Sequence, residues 1–515
     1  MIKNIFMIAI SAALLMSIGW GKSLRLAYDA DPVSMDPHEQ LSGGMLQFSH
    51  MVFDPLVRWT QDLKFEPRLA TQWRQIDAKT TRFTLRKGVK FHSGNEMTAR
   101  DVKWTFDRLR KSADFKGIFL EFEPIRVVDD YTIDIVTKGP YPLVLHTATY
   151  IFPMDRKFYS GNDSQGRSKA LVQKEANTFA SRNASGTGPF TVTKRDQGVR
   201  VDFARFNGYW DKTSKGNVTK VILTPIAEGP TRVAALLAGD VDFIAPVPPS
   251  DLFKLRKERK INLVELPGTR IITFQLNQQR RKEFRDVRVR QAIVHAINND
   301  AIVSKIMRNF ATVAAQQSPL GYIGYNKTLK PRYNLARARE LMKEAGYPNG
   351  FNITLMAPNN RYVNDEKIAE AVASMLAKIK IKASVKTIPK AQYWPAFDAR
   401  EADMMMIGWH SDTEDSANFT EYLLMTFNKD TGRGQYNSGN YSNPEVDKLV
   451  TESANVVDEN KRARILQKVE KLLYDDAAFV PLHWQNLAWA SRKGVDIKPI
   501  VNVQNFPYIG DLVIK

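Results

Sequence analysis

Capped helices and β-rich runs alternate through the second half of the chain, and few architectures accept that order. Asn334 stands where an N-cap belongs for a helix predicted over 334–345, and Gly346 supplies the left-handed stop. Residues 351–356 read as a strand. Asn364 or Asp365 then opens a helix with Ile368, Val372, Met375 and Ile379 on one face, and residues 381–388 form the next strand. Alternation at this pitch predicts a mixed α/β unit. The first half repeats the pattern: a short strand over 82–85 ends at Lys87-Gly88. Thr98 then starts a helix in which Asp101 completes a capping box, with Val102, Phe106 and Leu109 as its apolar stripe. Gly186-Thr187-Gly188-Pro189 reads as a turn, and Pro267-Gly268 is the expected crossing between lobes.

The N-terminal stretch reads as an export signal. Lys3 provides the positive end, and residues 5–18 form an uncharged apolar run interrupted only by Ser11 and Ser17. A spanning helix needs about 20 such residues, so the run is short. Gly19 and Gly21 offer small side chains before a cleavage point at Lys22, which makes residues 1–21 a removable signal peptide. An uncleaved anchor is the other reading of the same residues. With no cysteine at the junction a lipoprotein is excluded. The mature chain is expected to be exported and soluble.

Composition then narrows the chemistry. A chain of 515 residues implies roughly three domains or lobes. With 43% apolar and 25% charged residues it reads as globular. Its formal charge of +19 favours anionic surfaces or ligands. Having no cysteine, it has no disulfide, thiolate metal site or cysteine nucleophile. There is no Gly-x-Ser-x-Gly elbow and no His-Glu-x-x-His. Gly21-Lys22-Ser23 resembles the end of a phosphate loop, but Met16 occupies the upstream glycine position. The seven histidines, His38, His50, His92, His146, His295, His410 and His483, include no pair at helical ligand spacing.

Asp412, Glu414 and Asp415 cluster beside Trp409 and His410, after an apolar run at 404–407. Three readings stay open from the residues alone. A glycosidase-like carboxylate pair needs a cross-cleft separation that loop neighbours do not define. A solvated turn needs nothing further. A binding loop with an aromatic face and an acidic acceptor suits an organic cation such as a peptide amino terminus.

Residues 83–102 (FTLRKGVKFHSGNEMTARDV) resemble the signature of the family 5 extracellular solute-binding proteins of ABC importers, the dipeptide/oligopeptide/nickel-binding group. SMDP at 34–37, EPRLA at 66–70, SGTGPF at 185–190 and NGYW at 207–210 resemble the same family in order. LAGDVDF at 237–243, RQAIVHAIN at 290–298, AGYPNG at 345–350 and NPEVDKL at 443–449 continue the series over the mature chain. The resemblance implies a two-lobed α/β periplasmic-binding-protein clamshell. Lobe I would comprise residues 22–266 plus 482–515, with a subdomain inserted at about 60–185, and lobe II residues 267–481.

Site residues follow from the same likeness. In dipeptide-binding relatives an aspartate after a Gly-Trp turn takes the peptide amino group, a role that falls to Asp412 in Gly408-Trp409-His410-Ser411-Asp412. An arginine after a lobe II strand takes the carboxylate, which points to Arg361 beside Tyr362. Ser42 and Gly43, and His483-Trp484-Gln485, resemble segments lining the lobe I side of the cleft. Glu414-Asp415-Ser416 departs from the Gly and Pro that continue the aspartate loop in those relatives.

The expected function is capture of a short peptide for an inner-membrane ABC permease, by a monomer without cofactor, metal, catalysis or nucleic-acid binding. A nickel chelate held by His410 and His483 is the alternative ligand. An exported hydrolase is the rival class, and a sensor or chaperone without a permease is a third.

Overall fold

The computed structural model describes residues 21–61, 64–174, 176–411, 413 and 415–515. Among them, eleven strands form one mixed sheet, and two long antiparallel neighbours occupy its centre: Ile261–Leu276 and Val480–Arg492. Their ladder runs from Ile261 opposite Arg492 to Phe274 opposite Val480, and it is interrupted between Leu266 and Arg270. Pro267 lacks an N–H there, and a Cβ on Gly268 would meet the Gln485 carbonyl oxygen at 1.9 Å. The expected crossing at Pro267-Gly268 is thus an irregularity inside one continuous strand.

Each long strand carries a partly parallel half-sheet. Val480–Arg492 pairs with Phe243–Ala245, which lies parallel to Lys22–Tyr28, itself parallel to Val218–Pro225. Arg200–Arg205 and Phe190–Asp196 close that edge as an antiparallel hairpin. On the other side Ile261–Leu276 pairs with Met404–Trp409, followed by the parallel strands Asn352–Pro358 and Lys382–Ile388. All of Met404–Trp409 is buried. Met404 and Met406 pack with Ile368 and Val372 of helix Asp365–Ala377, whereas Met405 and Ile407 join the other large core, as period-two alternation requires.

A separate four-stranded antiparallel sheet is built from Ala70–Asp77, Thr80–Leu85, Thr132–Val136 and Arg126–Asp129. Helix Ala99–Leu109 buries Val102, Phe106 and Leu109. Its capping box forms, with Asp101 accepting the Thr98 N–H at 2.9 Å. Asn334 accepts the Arg337 N–H as cap of Leu335–Glu344. The Gly186–Gly188 turn leads into the strand Phe190–Asp196. Residues 1–20 of the expected signal peptide lie outside the described residues, among which no helix is long and apolar enough to cross a membrane.

Burial, which disfavours the charged imidazole, depresses every histidine. His38, His50 and His483 fall to about 3, His92 and His146 to about 4, and His295 and His410 are lowered too. Groups neutral in the fold but chargeable when unfolded give stability that is present above pH 6.5 and lost as pH falls, by about 1.4 kcal/mol per unit for each. Glu421 and Glu470, raised by burial to about 7, and the raised Asp365 and Asp114 oppose this with fewer groups. The urea midpoint is therefore expected to be lower at pH 5 than at pH 7.5. An equal or higher midpoint at pH 5 would contradict it.

Candidate functional site

The carboxyl ends of five strands face one another across the centre of the large sheet. Asp29 and Asp31 follow Tyr28, and Pro246 follows Ala245. Arg361 follows the strand ending at Pro358, Lys390 the one ending at Ile388, and His410 the one ending at Trp409. Ligands of open α/β sheets bind in this position, outside the carboxyl ends of the strands. Here Asp29, Asp31, Pro246, Arg361 and Lys390 line a cavity of about 1090 Å³. His410 lines an adjoining chamber of about 490 Å³ whose walls include Leu46, Ile407, Trp409 and Tyr436. Gln40, Ser42, Gly43, Arg270, Arg361 and Trp394 belong to both.

The loop carrying Arg361 is fixed from below. Asp365, in the first turn of Asp365–Ala377, accepts the N–H groups of Arg361 and Tyr362 at 2.9 Å each. Gln485 Oε1 accepts the Val363 N–H at 3.1 Å and ties the loop to the long central strand. The Arg361 guanidinium lies 5.1 Å from the centroid of the Tyr362 ring. The Tyr362 hydroxyl donates to the Gly408 carbonyl at 3.3 Å. Backbone and ring are thus held while the guanidinium borders the cavity.

Arg270 reaches the same space from the interrupted stretch of its strand. Its Nη2 donates to His410 Nδ1 at 2.9 Å and its Nη1 to the Gly408 carbonyl at 3.3 Å. An arginine only donates, so Nδ1 must be the unprotonated nitrogen of His410. Burial, with Arg270 and Arg361 adding to it, keeps that imidazole neutral. Burial and then the Arg361 charge lower Arg270 to about 9. A Cβ on Gly43 would sit only 3.5 Å from Arg270 Nη2, so the side chain spans to the first turn of helix Gly43–Val52. The first N–H groups of a helix point outward and favour negative charge. Lys390 borders the cavity as well; burial lowers it, Asp29 and Asp31 raise it, and Arg361 lowers it again.

The structure gathers Arg361, Tyr362, Ser42, Gly43 and Gln485 at the large cavity, and Trp409 and His410 at the chamber beside it. The Trp409 indole donates to Asn418 Oδ1 at 2.8 Å and stacks on Tyr422 at 4.8 Å, so only part of its ring serves as wall. Trp484 is a correction: it is buried, and its indole donates to the Gln317 carbonyl at 2.9 Å away from the cleft. His483 is fully buried and absent from the cavity walls, so it does not meet His410 there. Asp412 and Glu414 lie outside the described residues. Asp415 is no ligand acceptor: it pairs with buried Arg462 at 2.5 Å and caps helix Ser416–Leu423 through the Ala417 N–H. Among the described residues no cluster of three metal-ligating side chains occurs.

Asp29, Asp31, Arg270, Lys390 and Trp394 were not legible as site residues. The usable signal was position after a strand, which Asp29 and Lys390 share with Arg361. Arg270 is half-buried with no carboxylate within ion-pair distance among the described residues; a cation so placed costs folding free energy, and functional groups of this kind oppose stability. Arg270→Met is therefore expected to raise the unfolding temperature of the solute-free protein at pH 7, by about 1–2 °C for a chain of this size. A fall in calorimetric unfolding temperature would identify Arg270 as a structural prop instead.

Comparison with known proteins identifies the family. The family model for bacterial extracellular solute-binding proteins, family 5, matches residues 64–431. The chain is 27% identical over 484 residues to the dipeptide-binding protein of Escherichia coli K12, with 88% of each chain covered. It is 26% identical over 501 residues to the glutathione-binding protein of Pectobacterium atrosepticum, covering 94% of this chain and 93% of that one. The solved structure of the periplasmic binding protein DppA of Helicobacter pylori, in complex with the peptide STSA, superposes with a TM-score of 0.85. That match is at 26% identity and covers 96% of this chain and 98% of that one. The fold is that of the two-lobed α/β periplasmic binding proteins, and the chain belongs to the bacterial extracellular solute-binding proteins of family 5, whose clefts bind solutes and do not transform them.

Proposed function

We propose that the mature chain is the periplasmic receptor of an ABC importer and holds a short peptide in the cavity between two lobes. Lobe I comprises residues 22–266 and 482–515, with an inserted subdomain at about 60–185, and lobe II residues 267–481. The signal peptide is removed near Gly21 and Lys22, and the monomeric receptor closes on its ligand by a hinge motion before meeting the permease. Arg361 takes the peptide carboxylate, and Asp412 takes the amino group.

One observation carries this reading: an arginine on an anchored loop borders a cavity of about 1090 Å³, at the switch point of a sheet that two peptide-binding relatives resemble. The relatives' ligands support a short peptide, and an arginine fork suits a carboxylate. Cleft walls supplied by both half-sheets suit a molecule gripped from two sides.

Removing one partner of a buried charge pair costs about 2–5 kcal/mol. By titration calorimetry, Arg361→Ala is expected to weaken a free-ended di- or tripeptide by at least that range's lower bound. Its effect on the C-terminally amidated peptide should be small. Asp412→Asn should discriminate in the same way between free and N-acetylated peptides. Equal losses for blocked and free ligands would overturn the roles; silence from every peptide, with a response to a sugar or nickel, would overturn the substrate class.

A further inference from the structure

Among the described residues, the charges around the cleft do not balance for a zwitterion. Arg270, Arg361 and Lys390 border the large cavity, and none has a carboxylate within ion-pair distance among the described residues. Facing them are Asp29 and Asp31, and Asp31 already has Arg195 at 3.8 Å and accepts the Gly198 N–H. Elsewhere the chain treats its buried arginines differently. Arg108 is set against Asp36, Arg462 against Asp415, and Arg68 against Asp54 and Asp211. Arg232, with no carboxylate within ion-pair distance among the described residues, directs its donors to the carbonyls of Ile226, Ala227 and Pro246. Arg270 has two acceptors for its five N–H groups, and the Arg361 guanidinium has none among the described residues.

With a peptide carboxylate at Arg361 and the amino group taken by Asp412, Arg270 still has no carboxylate within ion-pair distance among the described residues, and Lys390 has only the more distant Asp29 and Asp31. The Arg361 charge acts on both of them, and like charges in a low-dielectric cleft repel and stay poorly solvated. Arg270 lines both the large cavity and the second chamber, so a group of the ligand that reaches toward the chamber meets it. The first turn of helix Gly43–Val52 lies on its other side and also favours an anion.

We propose that the cleft selects ligands with a second anionic group, held by Arg270 and Lys390 beside the one at Arg361. Resting on the peptide reading above, the preferred solute is a short peptide with an acidic side chain.

The test uses the mature chain and isosteric probes: Ala-Glu and Glu-Ala against Ala-Gln and Gln-Ala, with tricarballylate as a peptide-free polycarboxylate. The better acidic peptide is expected to bind at least about 10-fold tighter than its amide counterpart. That advantage should shrink to about 3-fold or less in Arg270→Met, and in Lys390→Met should Arg270→Met fail to fold. Equal or tighter binding of the amide peptides overturns the inference and leaves the peptide reading intact. An advantage that persists in both variants overturns it too. Binding of tricarballylate without any peptide overturns the peptide reading and keeps the second anionic group. Silence from every probe overturns both.

Discussion

The pairing of Ile261–Leu276 with Val480–Arg492 is the constraint on which the other features rest. These are the two strands that join the half-sheets, and each half-sheet contributes parallel strands whose carboxyl ends end at the middle. The pair is irregular between Leu266 and Arg270, where Pro267 has no N–H to give and Gly268 lets the Gln485 carbonyl come close. That irregularity has a consequence in the cleft. Arg270 resumes the ladder opposite Gln485, and both side chains border the cavity between the half-sheets.

Much of the fold was legible because its signals are local. The caps at Thr98, Asn334 and the Asn364–Asp365 step, and the stripes of the helices that follow, depend on neighbours within about one turn. The long strands were not, because their partners are about 200 residues away in sequence and no local pattern records register. Pro267-Gly268 illustrates the difference. The dipeptide has the chemistry of a break, yet the strand continues through it because the partner strand remains alongside.

The site divides in the same way. Arg361 carried a motif. Arg270 and Lys390 carried none, since what distinguishes them is a place on the cavity wall with no carboxylate within ion-pair distance among the described residues. Asp415 failed for the converse reason: it stands in an acidic run, but Arg462, 47 residues on, neutralises it inside the core. Trp484 and Gln485 came as one segment, and strand alternation sends adjacent side chains to opposite faces. Gln485 reaches the Arg361 loop, and Trp484 reaches the Gln317 carbonyl on the other side.

A receptor must be stable without its solute and yet gain by closing on it, and these demands conflict at Arg270, Arg361 and Lys390. If each had a permanent carboxylate, the empty protein would be more stable, but the incoming anion would have to displace that partner and would gain little. If all were fully solvated, closure would strip their water without compensation. Bordering a cavity with donors still open avoids both limits. His410 sharpens the point: kept neutral by burial, it accepts from Arg270 and orients the guanidinium without cancelling its charge. Tyr362 does the same for Arg361, as a ring beneath the guanidinium. In the proposed reading, specificity comes from cations that are positioned by neutral groups, with the ligand supplying charge that the described residues around Arg270 and Arg361 do not.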